Sequence, residues 1–177
     1  RVALVDGAKL FDLDTEVSDR VLYKGSIFKA TVSRIEQSLN AAFVDFGSTR
    51  HGFLPLKELS RNFYKKNSQG KSECTLKEGQ EILVQINKEE RGTKGATLST
   101  QISIAGRFMV LIANSDKSGG ISRRITGDER EDLKNQISKL DIPEGMSVII
   151  RTAGIDRSFE ELQNDLSYLI SLWDDIN

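Results

Sequence analysis

Four side chains near the middle of the chain have types and spacing that suit chemistry on a flat ligand. Phe43 and Phe46 close one apolar run, Phe53 lies in the next, and His51 sits between the runs beside Arg50. Cations surround them in sequence: Lys24, Lys29, Arg34 and Arg50, with Lys88, Arg91 and Lys94 returning later. Rings on which bases can stack, among cations that follow phosphates, suit a single-stranded nucleic acid. The competing reading is that aromatic residues on strands are core.

A second constellation lies near the end. Arg151 and Thr152 leave an apolar run, Met146 to Ile150, where the chain turns at Ala153-Gly154. A guanidinium, a hydroxyl and loop amides together make an anion clamp, and a terminal phosphate fits it. Arg123 and Arg124 close a glycine loop and carry the same implication. For each of these arginines the alternative is a structural role at a strand end.

The sequence offers little for catalysis. One histidine allows no histidine pair, and a Ser/His/Asp arrangement would have to use His51 inside an aromatic turn. Asp45 and the later carboxylates stand singly, with no pair that reads clearly as a Mg²⁺ site, although carboxylates far apart in sequence could converge, and no nucleotide-hydrolase phosphate loop occurs. The single Cys74 excludes an internal disulfide framework and a cysteine-cluster zinc site made by this chain alone. No catalytic and no metal-ligating residue is therefore assigned. A reducing, cytoplasmic setting is expected, and no apolar run nears the ~20 residues that cross a bilayer, so no membrane contact is expected.

Charge is divided along the chain. Lys plus Arg against Asp plus Glu is 3 to 5 over residues 1–20, 13 to 8 over 21–100, and 9 to 13 over 101–177. The basic surplus coincides with the aromatic runs, as an electrostatic footprint for nucleic acid should. The 177 residues suffice for one domain or two small ones. The chain begins at Arg1 rather than Met, which implies a piece of a longer protein.

The elements that must position these residues can be read in order. Residues 1–13 alternate across Asp6-Gly7 as a hairpin, and a hairpin needs further sheet to stand. Thr15 to Arg20 is a polar connection, and Val21-Leu22-Tyr23 leads into the next unit. Strands are expected at 29–35, 41–46, 52–56, 79–88 and 96–100, with a polar, mobile insertion over 61–75. Within 41–46, alternation sends Val44 to one face and Phe43 and Asp45 to the other. Five short strands and one insertion suit an OB-type barrel.

Beyond residue 100 the character changes. A strand over 101–112 bends at Gly106, and a glycine loop fills 115–124. Capping boxes at Thr126-Gly127-Asp128-Glu129 and at Ser158-Phe159-Glu160-Glu161 each open a helix. The first helix carries Leu133, Ile137 and Leu140, the second Leu162, Leu166, Leu169, Ile170 and Trp173 on one stripe. A buried strand over 146–150 lies between them.

The matching stretches are Arg1-Val2-Ala3-Leu4-Val5-Asp6-Gly7, Arg34-Ile35-Glu36, Ala41 to Gly47 and Arg50 to Glu58. Further on come Val84 to Gly92, Gly119 to Ile125 and Arg151-Thr152-Ala153-Gly154. By their order and spacing the whole chain resembles the N-terminal region of the ribonuclease E/G family, closer to its ribonuclease E members. The resemblance implies an α+β chain: an S1-type OB β-barrel inserted after a ribonuclease-H-like hairpin and followed by a small α+β 5′-sensor. The corresponding divisions are 1–20, 21–100 and 101–177, the last of them truncated. It implies that Phe43 and Phe53, with Lys94, contact RNA, and that Arg151 and Thr152 hold a 5′-monophosphate in a pocket lined by Gly106 and Val110, with Arg123 nearby.

For the parent protein the resemblance implies a Mg²⁺-dependent endoribonuclease, specific for single strands, that processes ribosomal and transfer RNA precursors and degrades mRNA. It further implies a tetramer in an RNA-degrading complex, at the inner face of the cell membrane. The family's catalytic aspartates and its zinc-linking Cys-x-x-Cys lie in a later domain. This chain is therefore expected to bind RNA with a 5′-monophosphate, to need no cofactor itself, and not to cut. Ala30 stands where the family has glycine, which puts the local backbone in question. Two other readings stand beside this one: a free-standing S1-type module without end sensing, and a scaffold piece whose aromatics are all core.

Overall fold

The computed structural model describes residues 2–14, 24–67, 70–115 and 119–177. Strands β1 (Val2–Asp6) and β2 (Lys9–Asp14) form the expected hairpin, with Asp6 opposite Lys9 and Gly7 in the left-handed region. Its two turn residues are thus Gly7 and Ala8, one position later than the Asp6-Gly7 signal. Val5, Leu10 and Leu13 on it are exposed. The connection expected over Thr15 to Arg20 and the run Val21-Leu22-Tyr23 lie outside the described residues, as does 116–118 of the glycine loop.

A closed barrel follows. Its strands are β3 (Ile27–Glu36), β4 (Ala41–Asp45), β5 (Gly52–Pro55), then β8 (Glu81–Lys88) and β9 (Thr97–Ser99), in the order β3-β4-β5-β9-β8. Alternation sends Val32, Val44, Leu54, Val84, Ile86 and Leu98 inward, where all are buried. Asn40, left-handed at φ 48°, ends the short 3₁₀ turn Gln37–Leu39 that joins β3 to β4. Ala30 lies in mid-strand opposite Ile82 and is buried. An extended backbone suits alanine, so nothing at this position calls for the conformational freedom of glycine.

The insertion between β5 and β8 is more ordered than its polar composition suggests. Strands β6 (Tyr64–Lys66) and β7 (Ser72–Cys74) pair as a hairpin. Phe63, Tyr64 and Cys74 pack on the barrel core, and the Tyr64 hydroxyl donates to the Leu56 carbonyl at 2.8 Å.

The second unit is a four-stranded sheet covered on one face. The strand expected over 101–112 is two strands, β10 (Ile102–Ala105) and β11 (Met109–Ala113), because the chain reverses at residues 106–108. With β12 (Gly120–Ile121) and β13 (Ser147–Ile150) the order is β10-β11-β13-β12, and β12 runs parallel to β13. Helix α1 (Gly127–Ile137) buries Leu133, and helix α2 (Phe159–Ile176) buries Leu162, Leu166, Leu169 and Trp173 in one cluster with Met109, Leu111, Val148 and Ile150.

The two capping boxes differ. Ser158 and Glu161 make theirs in full: the Glu161 N–H donates to the serine hydroxyl at 3.2 Å and the Ser158 N–H to the carboxylate at 3.0 Å. Thr126 makes no side-chain cap. Gly127 after it has φ 65°, which turns the first amides of α1 away from the threonine hydroxyl.

One buried glutamine joins the units. The Gln85 amide group donates to the Gly25 and Ser103 carbonyls at 2.9 and 2.8 Å, and its oxygen accepts from the Ser103 N–H and hydroxyl at 2.8 and 2.9 Å. This arrangement satisfies a polar group that burial would otherwise penalise. Among the described residues no helix is long and apolar enough to cross a membrane.

Candidate nucleic-acid interface

The outward positions of the barrel strands fall into a transverse row. Arg34 lies opposite Phe43, Phe43 opposite Phe53, Phe53 beside Thr97, and Thr97 opposite Lys88. Each pairing is a direct neighbour across the sheet, so the row is continuous over five strands. The two rings meet edge to face, centroids 6.0 Å apart at 69°, and both are half-buried. The Arg34 guanidinium lies 5.4 Å from the Phe43 centroid, a cation–π distance. Rigid, partly exposed rings with cations at both ends of the row can stack bases and hold the phosphates between them.

Beyond Lys88 the row opens into a surface groove of about 630 Å³, lined in part by Lys24, Lys88, Arg91 and Lys94, with Glu89 and Glu90 among them. The loop bearing His51 is tied to this groove. Arg50 Nη1 donates to the Gly92 carbonyl at 2.6 Å, and Gly95 lies so close to the His51 carbonyl that a Cβ there would overlap it. His51 and Lys94 are both exposed.

Phe46 does not join them. It was expected at the interface, but it is 7% exposed and packs edge-on against Phe28 at 5.3 Å inside the barrel. Alternation explains this: three residues after Phe43 it shares the face of Val44, not of Phe43. Lys29 also contributes less free charge than its sequence position implied, since it pairs with Glu81 at 2.8 Å.

The second constellation gathers at one end of the four-stranded sheet. Arg151 follows the end of β13, and Arg123 follows β12, which runs alongside in parallel. Ser122 N–H donates to the Ile150 carbonyl at 2.8 Å and keeps the two chain ends together. Arg107 and Gly106 belong to the reversal between β10 and β11 at the same end. The Arg151 N–H donates to the Phe108 carbonyl at 2.8 Å, and its Nη1 donates to the Gly106 carbonyl at 2.7 Å. Thr152 opens the 3₁₀ turn Thr152–Gly154 and is exposed, as are Arg123 and Arg151.

The uncovered face of this sheet supplies an apolar neighbour. Ala105, Val110, Ile149 and Gly120 form one transverse row by register. Val110 is half-buried, Ile149 is 38% exposed, and a side chain at Gly120 would meet open space. Sequence reading had placed Val110 here only by resemblance. Ile149 looked like core within an apolar run, although alternation with Val148 and Ile150 would have found it.

Gly106 has a role that its sequence context did not disclose. A Cβ there would lie 2.7 Å from Asp165 Oδ2 and 2.9 Å from Leu169 Cδ1, so the turn touches α2 only because the residue is glycine. Among the described residues no three His, Cys, Asp or Glu side chains come together in a way that could hold a metal ion. Cys74 is the single cysteine and a free thiol, so it makes no Cys-x-x-Cys pair for Zn²⁺, and no described residue is assigned to Mg²⁺.

Residues 22–101 match the S1 RNA binding domain, and residues 103–177 match the Ribonuclease E/G family. Ribonuclease E of Haemophilus influenzae is 53% identical over 180 residues, covering 99% of this chain and 19% of its own length. Ribonuclease E of Escherichia coli K12 is 52% identical, covering 99% of this chain and 17% of its own. Ribonuclease G of the same strain is 33% identical, with 98% of this chain and 37% of its own covered. The chain thus spans about a fifth of the length of the ribonuclease E relatives that it matches.

Proposed function

We propose that this chain, whose residues 103–177 match the Ribonuclease E/G family and residues 22–101 the S1 RNA binding domain, holds single-stranded RNA on the barrel row while reading the RNA's 5′ end at Arg151. The observation that carries this reading is the row itself: two paired rings flanked by Arg34 and Lys88 on the outer barrel surface. Bases of any sequence can stack on Phe43 and Phe53, and Arg34, Lys88 and Lys94 neutralise the backbone. His51 borders the same surface. At the other site Arg151 and Thr152 take a 5′-monophosphate, Arg123 adds charge, and the Val110–Ile149 row receives the first nucleoside.

In this reading the parent protein is an endoribonuclease acting in the cytoplasm. A Mg²⁺ ion bound to the parent protein would supply the Lewis acid for phosphodiester hydrolysis, and no described residue is assigned to hold it. The names of the relatives support the endoribonuclease.

The test is the affinity of one short single-stranded RNA carrying either a 5′-monophosphate or a 5′-hydroxyl, at one salt concentration. A preference for the monophosphate that disappears in Arg151→Ala is the expected result. Equal binding of both ends would leave the barrel row as the working site and remove end sensing from the proposal. No binding of either would return the aromatics to a purely structural role.

A further inference from the structure

The reversal at residues 106–108 holds Arg151 twice, by main chain and by side chain, so whatever holds the reversal also holds the guanidinium. That partner is a carboxylate from another element. Asp165 lies on α2, flanking the buried stripe between Leu162 and Leu169. Its Oδ1 accepts the N–H of Arg107 at 3.1 Å, and its Oδ2 accepts those of Phe108 and Met109 at 2.9 and 3.1 Å. Three successive amides converging on one carboxylate form an anion nest, here filled by the protein's own side chain.

We propose that Asp165 is a positioning residue for 5′-end recognition, acting on Arg151 through the Gly106–Met109 turn. The line of contact is continuous. Asp165 fixes the amides of the turn, the Gly106 carbonyl fixes Nη1 of Arg151 at 2.7 Å, and the remaining guanidinium N–H groups are left for a phosphate. An arginine held in this way loses little rotational freedom when the anion arrives, and such preorganisation favours binding. Gly106 is the complementary part, since any side chain there would push the turn off the carboxylate. A neutral amide at position 165 would turn an N–H₂ toward at least one of the three donors, so Asp165→Asn removes the nest while nearly keeping the shape.

The proposal rests on the end-sensing reading, and the experiment separates the two. Binding of 5′-monophosphate and 5′-hydroxyl RNA is compared for the 177-residue chain and for Arg151→Ala, Asp165→Asn and Leu133→Ala, with Tm measured for each. Leu133→Ala, on α1 rather than α2, lowers Tm without touching the nest and should keep the monophosphate preference. Asp165→Asn should reduce that preference about tenfold, the loss of one charge-assisted contact, with 5′-hydroxyl binding on the barrel unchanged. The Arg151 Nε–H signal in NMR should broaden or shift in the same variant. A preference lost in Arg151→Ala but intact in Asp165→Asn overturns this inference alone, whereas no preference in the unaltered chain overturns both. If Asp165→Asn unfolds the second unit, Gly106→Ala displaces the turn from the other side, and a full preference in that variant also overturns it.

Discussion

In the proposed function the barrel row and the sheet end both meet an anion-rich ligand, but they are built in different ways. The row is assembled from nearest neighbours across a barrel, each strand delivering one side chain at a register position. The sheet end is assembled in depth: a guanidinium rests on a carbonyl, whose turn rests on a carboxylate that belongs to a helix. A surface of the first kind loses one contact when one residue is removed. In the second kind, removing a supporting residue is felt at the ligand.

The largest expected effect tests whether the two surfaces depend on one core or two. Leu166 is fully buried in the cluster beneath the sheet, away from the cluster inside the barrel. Leu166→Ala should cost about 2–5 kcal/mol by transfer and cavity. Trp173, the single tryptophan, sits in the same cluster and reports it in a denaturant titration. End preference should be kept by the folded variant and disappear at the lower denaturant concentration where that cluster now unfolds, while 5′-hydroxyl RNA keeps its affinity for the row. A parallel loss of both would mean that the seam at Gln85 makes the units one cooperative body.

A smaller effect belongs to the row. Phe43→Ala should weaken RNA binding by about 1–3 kcal/mol if a base stacks there, equally for both kinds of 5′ end. Far-UV circular dichroism should remain that of the unaltered chain, since the ring is half-buried and Val44 and Leu54 fill the core without it. Unchanged affinity in the folded variant would take Phe43 off the RNA path. A loss confined to 5′-monophosphate RNA would contradict the separation of the two surfaces.

The same contrast explains what could be read in advance. The opposite directions of Phe43 and Val44 follow from a period of two, which sequence displays directly. The same period counted three residues on would have put Phe46 inside; proximity to a charged turn outweighed it. The hairpin of β6 and β7 was hidden because polar side chains dominate its arms and only Phe63, Tyr64 and Cys74 touch the core. Arg151 and Thr152 stood out as a polar pair at the end of an apolar strand. Asp165 did not, because its partners lie 56 to 58 residues away and are backbone amides, which leave no mark in sequence. The two capping boxes share a pattern, yet only that of Ser158 forms, because the left-handed Gly127 redirects the backbone after Thr126.

The smallest effect concerns the start of α2, the helix that brings Asp165 to the turn. The Ser158 amide and hydroxyl, with Arg157 3.5 Å away, hold the Glu161 carboxyl below its ordinary value of 4.5. The folded state therefore favours the ionised form. Its contribution is fully present above the unfolded-state value and fades as pH falls through the lowered folded value. Glu161→Gln keeps an acceptor for the Ser158 N–H and discards the charge. Its Tm should lie slightly below that of the unaltered chain at neutral pH, by an amount constant down to about pH 5, where carboxylates begin to protonate, and shrinking below that. A gap that persists in acid would assign the effect to packing rather than to charge. Binding of 5′-hydroxyl RNA on the barrel should be the same in both proteins, because the box supports only the helix behind the sheet end.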